Sequence, residues 1–188
     1  MALARPLDEV RVYSPTPAHR EAFAQREGAR SGLPVRAVGS AREAVEGADI
    51  VCTVTSSSTP VLEGAWLSPG THVNAVGSSV RTARELDGEA VRRARFYVDR
   101  RESTLNESGD FLAARDEGLV DDDHIVAELG EVLDGRAPGR TDAAQITLFK
   151  GLGLAVEDLA AAHWVTARAR AQGVGVEVPL GGRRHASD

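Results

Sequence analysis

Three absences narrow the reading of this 188-residue sequence. It has a single cysteine, Cys52, which excludes an internal disulfide and suits a reducing compartment. Because it lies inside the apolar run IVCTV, Cys52 reads as a core residue. Basic residues are in deficit, with 22 Lys and Arg against 28 Asp and Glu and a net charge of −6. That balance argues against nucleic acid as a partner, since neutralising phosphates needs a basic face. The Gly181, Gly182, Arg183, Arg184, His185 stretch reads as a small disordered tail and not as a binding arm. No apolar run approaches the roughly 18–20 residues that cross a bilayer, and no secretory signal opens the chain, so a cytoplasmic protein with no membrane partner is expected.

Alternating strands and helices are present instead. Val10 to Ser14 (VRVYS) has strand composition; Thr16 then reads as an N-cap with Pro17 at the first helical position, opening a helix to about Glu27. Val35 to Val38 is a short strand. Ser40 and Glu43 form a capping box for a helix ending at Gly47. Asp49 to Val54, His72 to Val76 and Phe96 to Val98 are buried-type strands, with a helix from Asp87 to Ala94 between the last two. Five strands interleaved with helices predict an α/β fold with a parallel, doubly wound sheet. Beyond them the chain reads as helical: Ile125, Leu129, Val132 and Leu133 share one helical face, and Gly151 to Gln172 forms a long Ala-rich helix. The expected organisation is a partial Rossmann-type domain over 1–145, a C-terminal helix of a second lobe over 146–175, and a tail over 176–188.

A dinucleotide-binding unit opens with a strand, a Gly-rich turn and a helix whose N-terminus holds the pyrophosphate. No G-x-G-x-x-G/A follows a strand in this sequence. Gly151-Leu-Gly153 has Val156 at its sixth position and reads as helix packing. If VRVYS is the second strand of the order 3-2-1-4-5-6, the central strand is the one absent. Its absence would leave two unpaired inner edges. A truncated gene product or a misassigned start is the expectation.

Several blocks then resemble one family. VRVYSPTPAHREAFA, GADIVCTVTSSSTPVLEGAWLSPGTHVNAVGSS, ARELD, DDDHIVAELGEVLDGRAPGRT and ITLFKGLGLAVEDLAAA are together similar to the ornithine cyclodeaminase/mu-crystallin family over about residues 5 to 172. The resemblance implies a Rossmann-type domain binding NAD or NADP, and a second lobe carrying substrate and homodimer contacts. It also implies a small imino or amino acid as substrate. The loop after HVNAVG is implied to face the nicotinamide and the substrate. Members with cyclodeaminase activity read G-A-D-x-P-G-K there, whereas this chain reads Gly77-Ser78-Ser79-Val80-Arg81-Thr82-Ala83. Ser79 takes the place of the acting Asp, and a serine is no carboxylate base without a partner to activate it.

Cofactor positions follow from the same resemblance. Ser14-Pro15-Thr16 sits where the adenosine ribose is read, with neither an acidic residue to favour NAD nor an Arg to favour a 2′-phosphate. Thr16 as a helix cap and Thr16 as a cofactor contact both stand. Thr53 and Thr55 are implied to line the cofactor, Val76 and Gly77 to form the nicotinamide floor, and Gly151 to replace a serine that reaches the nicotinamide. The resemblance thus points to an NAD(P)-dependent imine or amino-acid oxidoreductase, with ornithine cyclodeaminase, or an inactive fragment or binding protein, as alternatives.

The remaining polar clusters have plainer readings. Asp121, Asp122, Asp123 and His124 read as an N-cap and dipole complement, so no metal is expected. Ser56 to Ser58 could cradle phosphate or form a flexible loop. Arg100, Arg101 and Glu102 read as a solvated face, and His163 and Trp164 as helix packing. Asn74, inside a buried strand, needs hydrogen-bond partners and could orient the Gly77 loop.

Overall fold

The computed structural model describes residue 1 and residues 4–178. Parallel strands and helices alternate: β1 Val10–Val12, α1 Pro17–Ser31, β2 Val35–Ala37, α2 Ala41–Val45, β3 Ile50–Thr53, β4 His72–Ala75, α3 Gly88–Arg93, β5 Arg95–Val98, α4 Arg101–Glu107, α5 Gly109–Asp116, β6 Ile125–Glu128, α6 Leu129–Leu133, β7 Thr147–Lys150 and α7 Ala155–Gln172. The fold is α/β and Rossmann-like. Its strands fall into two sheets: a pair β1-β2 and a five-stranded sheet ordered β3-β4-β7-β5-β6. Every pairing is parallel, and no ladder joins the pair to the larger sheet among the described residues. The sheet is therefore interrupted where a central strand was expected to be absent.

Two segments read as helical are strands. Ile125–Glu128 pairs with β5, and its residues alternate between buried and half-buried, the two-residue period of a strand. The Asp121 cap is spent on a short 3₁₀ turn, Asp122–His124, accepting from Asp123 N at 3.1 Å. Only Leu129–Leu133 remains helical there, its start fixed by the Glu128 amide donating to Glu131 Oε2 at 3.0 Å. The second correction concerns ITLFK. Thr147–Lys150 is laddered to β4 on one side and to β5 on the other, so the last strand in sequence lies at the centre of the sheet. The boundary read at 145/146 falls ahead of this strand; the first compact unit runs from Met1 to Leu152.

One face of the large sheet carries the core. Val73, Leu148, Phe96 and Val98 point to α3 and α5, joining Val91 and Phe111, and the Phe96 and Phe111 rings lie 5.3 Å apart. The pleat sends alternate residues to the other face, which holds Ile50, Cys52, Asn74 and Phe149. Cys52 is consequently exposed, correcting its reading as core. Arg100 and Glu102 are exposed, as expected of a solvated face, whereas Arg101 is half-buried: it opens α4, donates from Nη2 to Ile125 O at 2.9 Å, and its amide donates to Glu128 Oε1 at 2.9 Å. Ser40 does cap α2, accepting from Glu43 N at 3.1 Å, but Glu43 returns to Gly39 N and not to Ser40.

The second compact unit begins at Gly153 and contains α7, which ends in a left-handed cap at Gly173. No residue of α7 is buried; Val156, Leu159, Trp164 and Val165 are all exposed. Trp164 is exposed, with Arg168 of its own helix 5.2 Å from the ring centroid, and is not packed as expected. The basic stretch Gly181–His185 lies outside the described residues.

Candidate functional site

In open α/β sheets ligands bind outside the carboxyl ends of the strands. Here β3, β4 and β7 end together. Thr53 O accepts from Val76 N at 2.9 Å and Gly77 N at 3.3 Å, and Ala75 O accepts from Gly151 N at 3.2 Å. These bonds carry the chain past its ladders and hold Thr53, Val76, Gly77 and Gly151 against one another.

Gly77 is required by close approach: a Cβ there would collide with the Glu85 carboxyl and the Thr55 carbonyl. At Gly151 a Cβ would meet the Phe149 ring at an ordinary contact distance of 3.4 Å, so packing does not demand glycine there. Ser78 follows with φ 50, the sole described non-glycine residue at positive φ.

Beneath this turn lies a buried ionic network. Lys150, Asp110 and Glu85 each have no exposed surface, and Ser78 is 2% exposed. Lys150 Nζ donates to Gly77 O and, at 3.1 Å, to Ser78 Oγ, and stands 3.7 Å from Asp110 Oδ2. Ser78 Oγ donates to Asp110 Oδ2. Asp110 Oδ1 accepts from Glu85 N at 2.8 Å and Leu86 N at 2.9 Å. Glu85 Oε1 accepts from Thr55 N, while its Oε2 is buried without a hydrogen-bond partner. Asp110 reaches this place from the first turn of α5, where Ser108 Oγ accepts from Phe111 N at 3.4 Å. Burial pushes the Asp110 carboxyl up, opposed by the Ser78 hydroxyl, the two amides and Lys150. Burial likewise pushes the Lys150 ammonium down, opposed mainly by Asp110 and Glu85.

Above the network the surface is open and apolar. Val54, Val76 and Val80 are 70%, 51% and 56% exposed, and Ser79 is exposed beside them. The expected site residues Thr53, Thr55, Val76, Gly77, Ser79 and Gly151 therefore share one edge. Ser14 and Thr16 belong to the separate strand pair. Ser14 O accepts from Arg20 Nη1 at 2.9 Å; the Thr16 hydroxyl makes no cap, and its carbonyl takes His19 N and Arg20 N instead. Asn74 Nδ2 is buried without a hydrogen-bond partner. The Ser57 hydroxyl is used locally, donating to Thr59 O at 2.7 Å. Asp122 pairs with Arg115 at 2.9 Å and His124 Nε2 lies 2.8 Å from Val91 O, so this cluster is tied up structurally.

A cavity of about 430 Å³ lies elsewhere, toward the amino ends of the strands, lined by His72, Tyr97, Arg140, Thr147 and Phe149 among others. Arg140, Thr147 and His72 bond within it. Arg140 Nη2 donates to Thr147 Oγ1 at 2.9 Å, Arg140 Nη1 to Gly70 O at 2.7 Å, and His72 Nδ1 lies 2.8 Å from the same Thr147 hydroxyl. The carboxyl edge is the better candidate, because its polar groups meet an open surface at the expected end of the sheet.

Lys150, Asp110 and Glu85 were missed in the sequence. Their signal was a charge set directly against an apolar run, as in ITLFK and GDFLAA. A charge carried into a core must find partners there.

Comparison with known proteins agrees with this architecture. The chain is 45% identical to ketimine reductase mu-crystallin of Mus musculus over 157 residues, 84% of this chain and 46% of that protein. A Thermococcus litoralis Δ(1)-pyrroline-2-carboxylate reductase, solved with NADH and L-proline, superposes with a TM-score of 0.90 at 41% identity, covering 94% of this chain and 55% of that one. The iminosuccinate reductase of Paracoccus denitrificans, solved with NAD+, gives a TM-score of 0.84 at 33% identity, over 95% and 54% of the two chains. The chain thus spans about half the length of the relatives it matches. With residues 1–173 matching the family model, the chain belongs to the ornithine cyclodeaminase/mu-crystallin family.

Proposed function

We propose that this chain forms part of an NAD(P)-dependent reductase acting on the C=N bond of a small cyclic imine or α-imino acid. One observation carries the reading: the loop from Val76 to Arg84, after β4, carries no carboxylate. Glu85 and Asp110 are fully buried beneath the turn, and the exposed position in the loop is the hydroxyl of Ser79. Cyclodeamination would need an acidic group presented to the amino acid; reduction of an imine does not.

The residues fit the nicotinamide end of the cofactor. Val54, Val76 and Val80 offer an exposed apolar shelf. The sequence supplies no Gly-rich turn for the pyrophosphate. Thr53, Thr55, Val76, Gly77 and Gly151 would line the nicotinamide, and Ser14 and Thr16 the adenosine ribose. When bound, the reduced nicotinamide supplies a hydride to the imine carbon, and the nitrogen takes a proton, giving the amine. Ser79 would place the substrate or a water at this edge. The second compact unit, with its exposed Val156, Leu159, Trp164 and Val165, would belong to a lobe that holds substrate and homodimer contacts. Among the described residues no helix is long and apolar enough to cross a membrane. A cytoplasmic setting is part of the proposal, supported by the free Cys52 thiol.

The test mixes the purified chain with NADH or NADPH and a cyclic ketimine carboxylate and follows nicotinamide absorbance. Imine-dependent oxidation of the cofactor is expected. Release of ammonia and proline from ornithine without net cofactor consumption would overturn the reading in favour of a cyclodeaminase.

A further inference from the structure

The Lys150 network has a property that sheet stability does not explain. A buried ion pair replaced by apolar residues of similar volume often leaves a protein equally stable or more so. Lys150 is the last residue of the central strand, and an apolar side chain there would continue the apolar run of ITLF. Yet both hydrogen bonds of its ammonium go to one short segment, to Gly77 O and Ser78 Oγ. Asp110 receives the Ser78 hydroxyl on one oxygen and clamps the Glu85 and Leu86 amides with the other. Two elements distant in sequence, β7 and α5, thereby converge on Ser78, whose positive φ is otherwise unfavourable for a residue with a Cβ. The residues immediately after it, Ser79 and Val80, are exposed.

We infer that Lys150 and Asp110 are positioning residues, which pin Ser78 in its left-handed conformation and thereby fix where Ser79 and Val80 stand at the carboxyl edge of β4. The loop is then ordered in advance of any ligand, by an ammonium and a carboxylate supplied from beneath it. Preorganisation of this kind is what a site needs if its contacts are to be held within a fraction of an ångström. The assignment rests on reading this edge as the cofactor and substrate site, but its test uses no nucleotide. Failure of the test would leave that reading standing, and failure of nucleotide binding would leave the loop result standing.

The experiment places a nitroxide label on the 188-residue chain in a Cys52→Ser background, at Ser79→Cys in the loop or at the exposed Gln25→Cys in α1 as a control. The spectrum of the label at position 79 is expected to be slow in the parent. In Lys150→Met or Asp110→Asn it should gain a component several-fold faster, with the control spectrum unchanged. Asp110→Asn keeps the side-chain volume and the oxygen facing the two amides, so it serves if Lys150→Met does not fold. The charge-balanced double variant should recover the melting midpoint lost in Lys150→Met while its loop label stays fast. Three results would overturn the inference: an unchanged label at 79 in both single variants, equal loosening at both positions, or return of the slow spectrum in the double variant.

Discussion

The two sheets of this molecule are built from the same local grammar and end very differently. In the larger one, β4 and β7 each have a strand on both sides, and Val73 and Leu148 are fully enclosed. In the smaller, three-residue strands pair only with each other among the described residues, and none of their residues is buried. Arg11 ties that pair to α2 through the Glu43 and Glu46 carbonyls at 2.8 and 2.9 Å. Their carboxyl ends contrast just as strongly. Beyond β4 and β7 lies a turn braced by buried charges, whereas beyond β1 lie the exposed Pro15 and Thr16. Strand periodicity sets where a strand forms; enclosure on both edges and a covered face set whether it can carry a fixed site.

The sharpest way to break this comparison is to truncate equivalent apolar residues in each sheet. Leu148→Ala should cost about 2–5 kcal/mol, because the cavity forms in a fully enclosed strand. Val12→Ala in the half-exposed β1 should cost roughly 1 kcal/mol or less. Urea melts of the two variants check this, and equal losses would erase the proposed difference. Gly77→Ala should come next. Its new methyl group meets the Glu85 carboxyl and the Thr55 carbonyl, so overpacking should cost about 1–3 kcal/mol in the same melts. A cost indistinguishable from zero would mean the turn is looser than described. Amide exchange offers a third comparison. The β4 and β7 amides should exchange only on global opening, and those of β1 and β2 through cheaper local opening; matching protection in both sheets would contradict it.

The smallest effect concerns pH. Burial lowers the His72 pKa below its ordinary value of 6.5. The unfolded chain therefore takes up the proton first as pH falls. The contribution of neutral His72 to stability is present above pH 6.5 and is lost progressively below it, toward the lowered folded value. His72→Gln should flatten that acid limb of the stability profile measured by thermal melts between neutral and mildly acidic pH. An unchanged slope would show that His72 is not buried as described.

Most strands were legible because a buried parallel strand is a short β-branched run bounded by turn residues, and IVCT, HVNA and RFYV all have that form. TLFK has it too. In sequence it merges with the helix that follows it, because apolar helix residues come within a few positions; pairing to β4 and β5 makes it a strand. IVAE was misread because Ile125, Leu129, Val132 and Leu133 also satisfy a helical period. The edge residues Thr53, Val76 and Gly77 came from a family resemblance, and the fold brings them together. Asp110, Glu85 and Lys150 lie 25 to 65 residues apart in sequence and become a site only through the crossover that places β7 at the centre. No local pattern encodes that juxtaposition.

In the proposed function, the carboxyl edge of β3, β4 and β7 receives the nicotinamide. Titrating the isotope-labelled chain with reduced nicotinamide mononucleotide, and following amide chemical shifts, tests it without requiring turnover or a pyrophosphate cradle. Saturable shifts are expected at Thr55, Val76, Gly77, Ser79 and Gly151, with His72, Arg140 and Thr147 unmoved. Shifts confined to His72, Arg140 and Thr147, at the cavity near the amino ends of the strands, would contradict it.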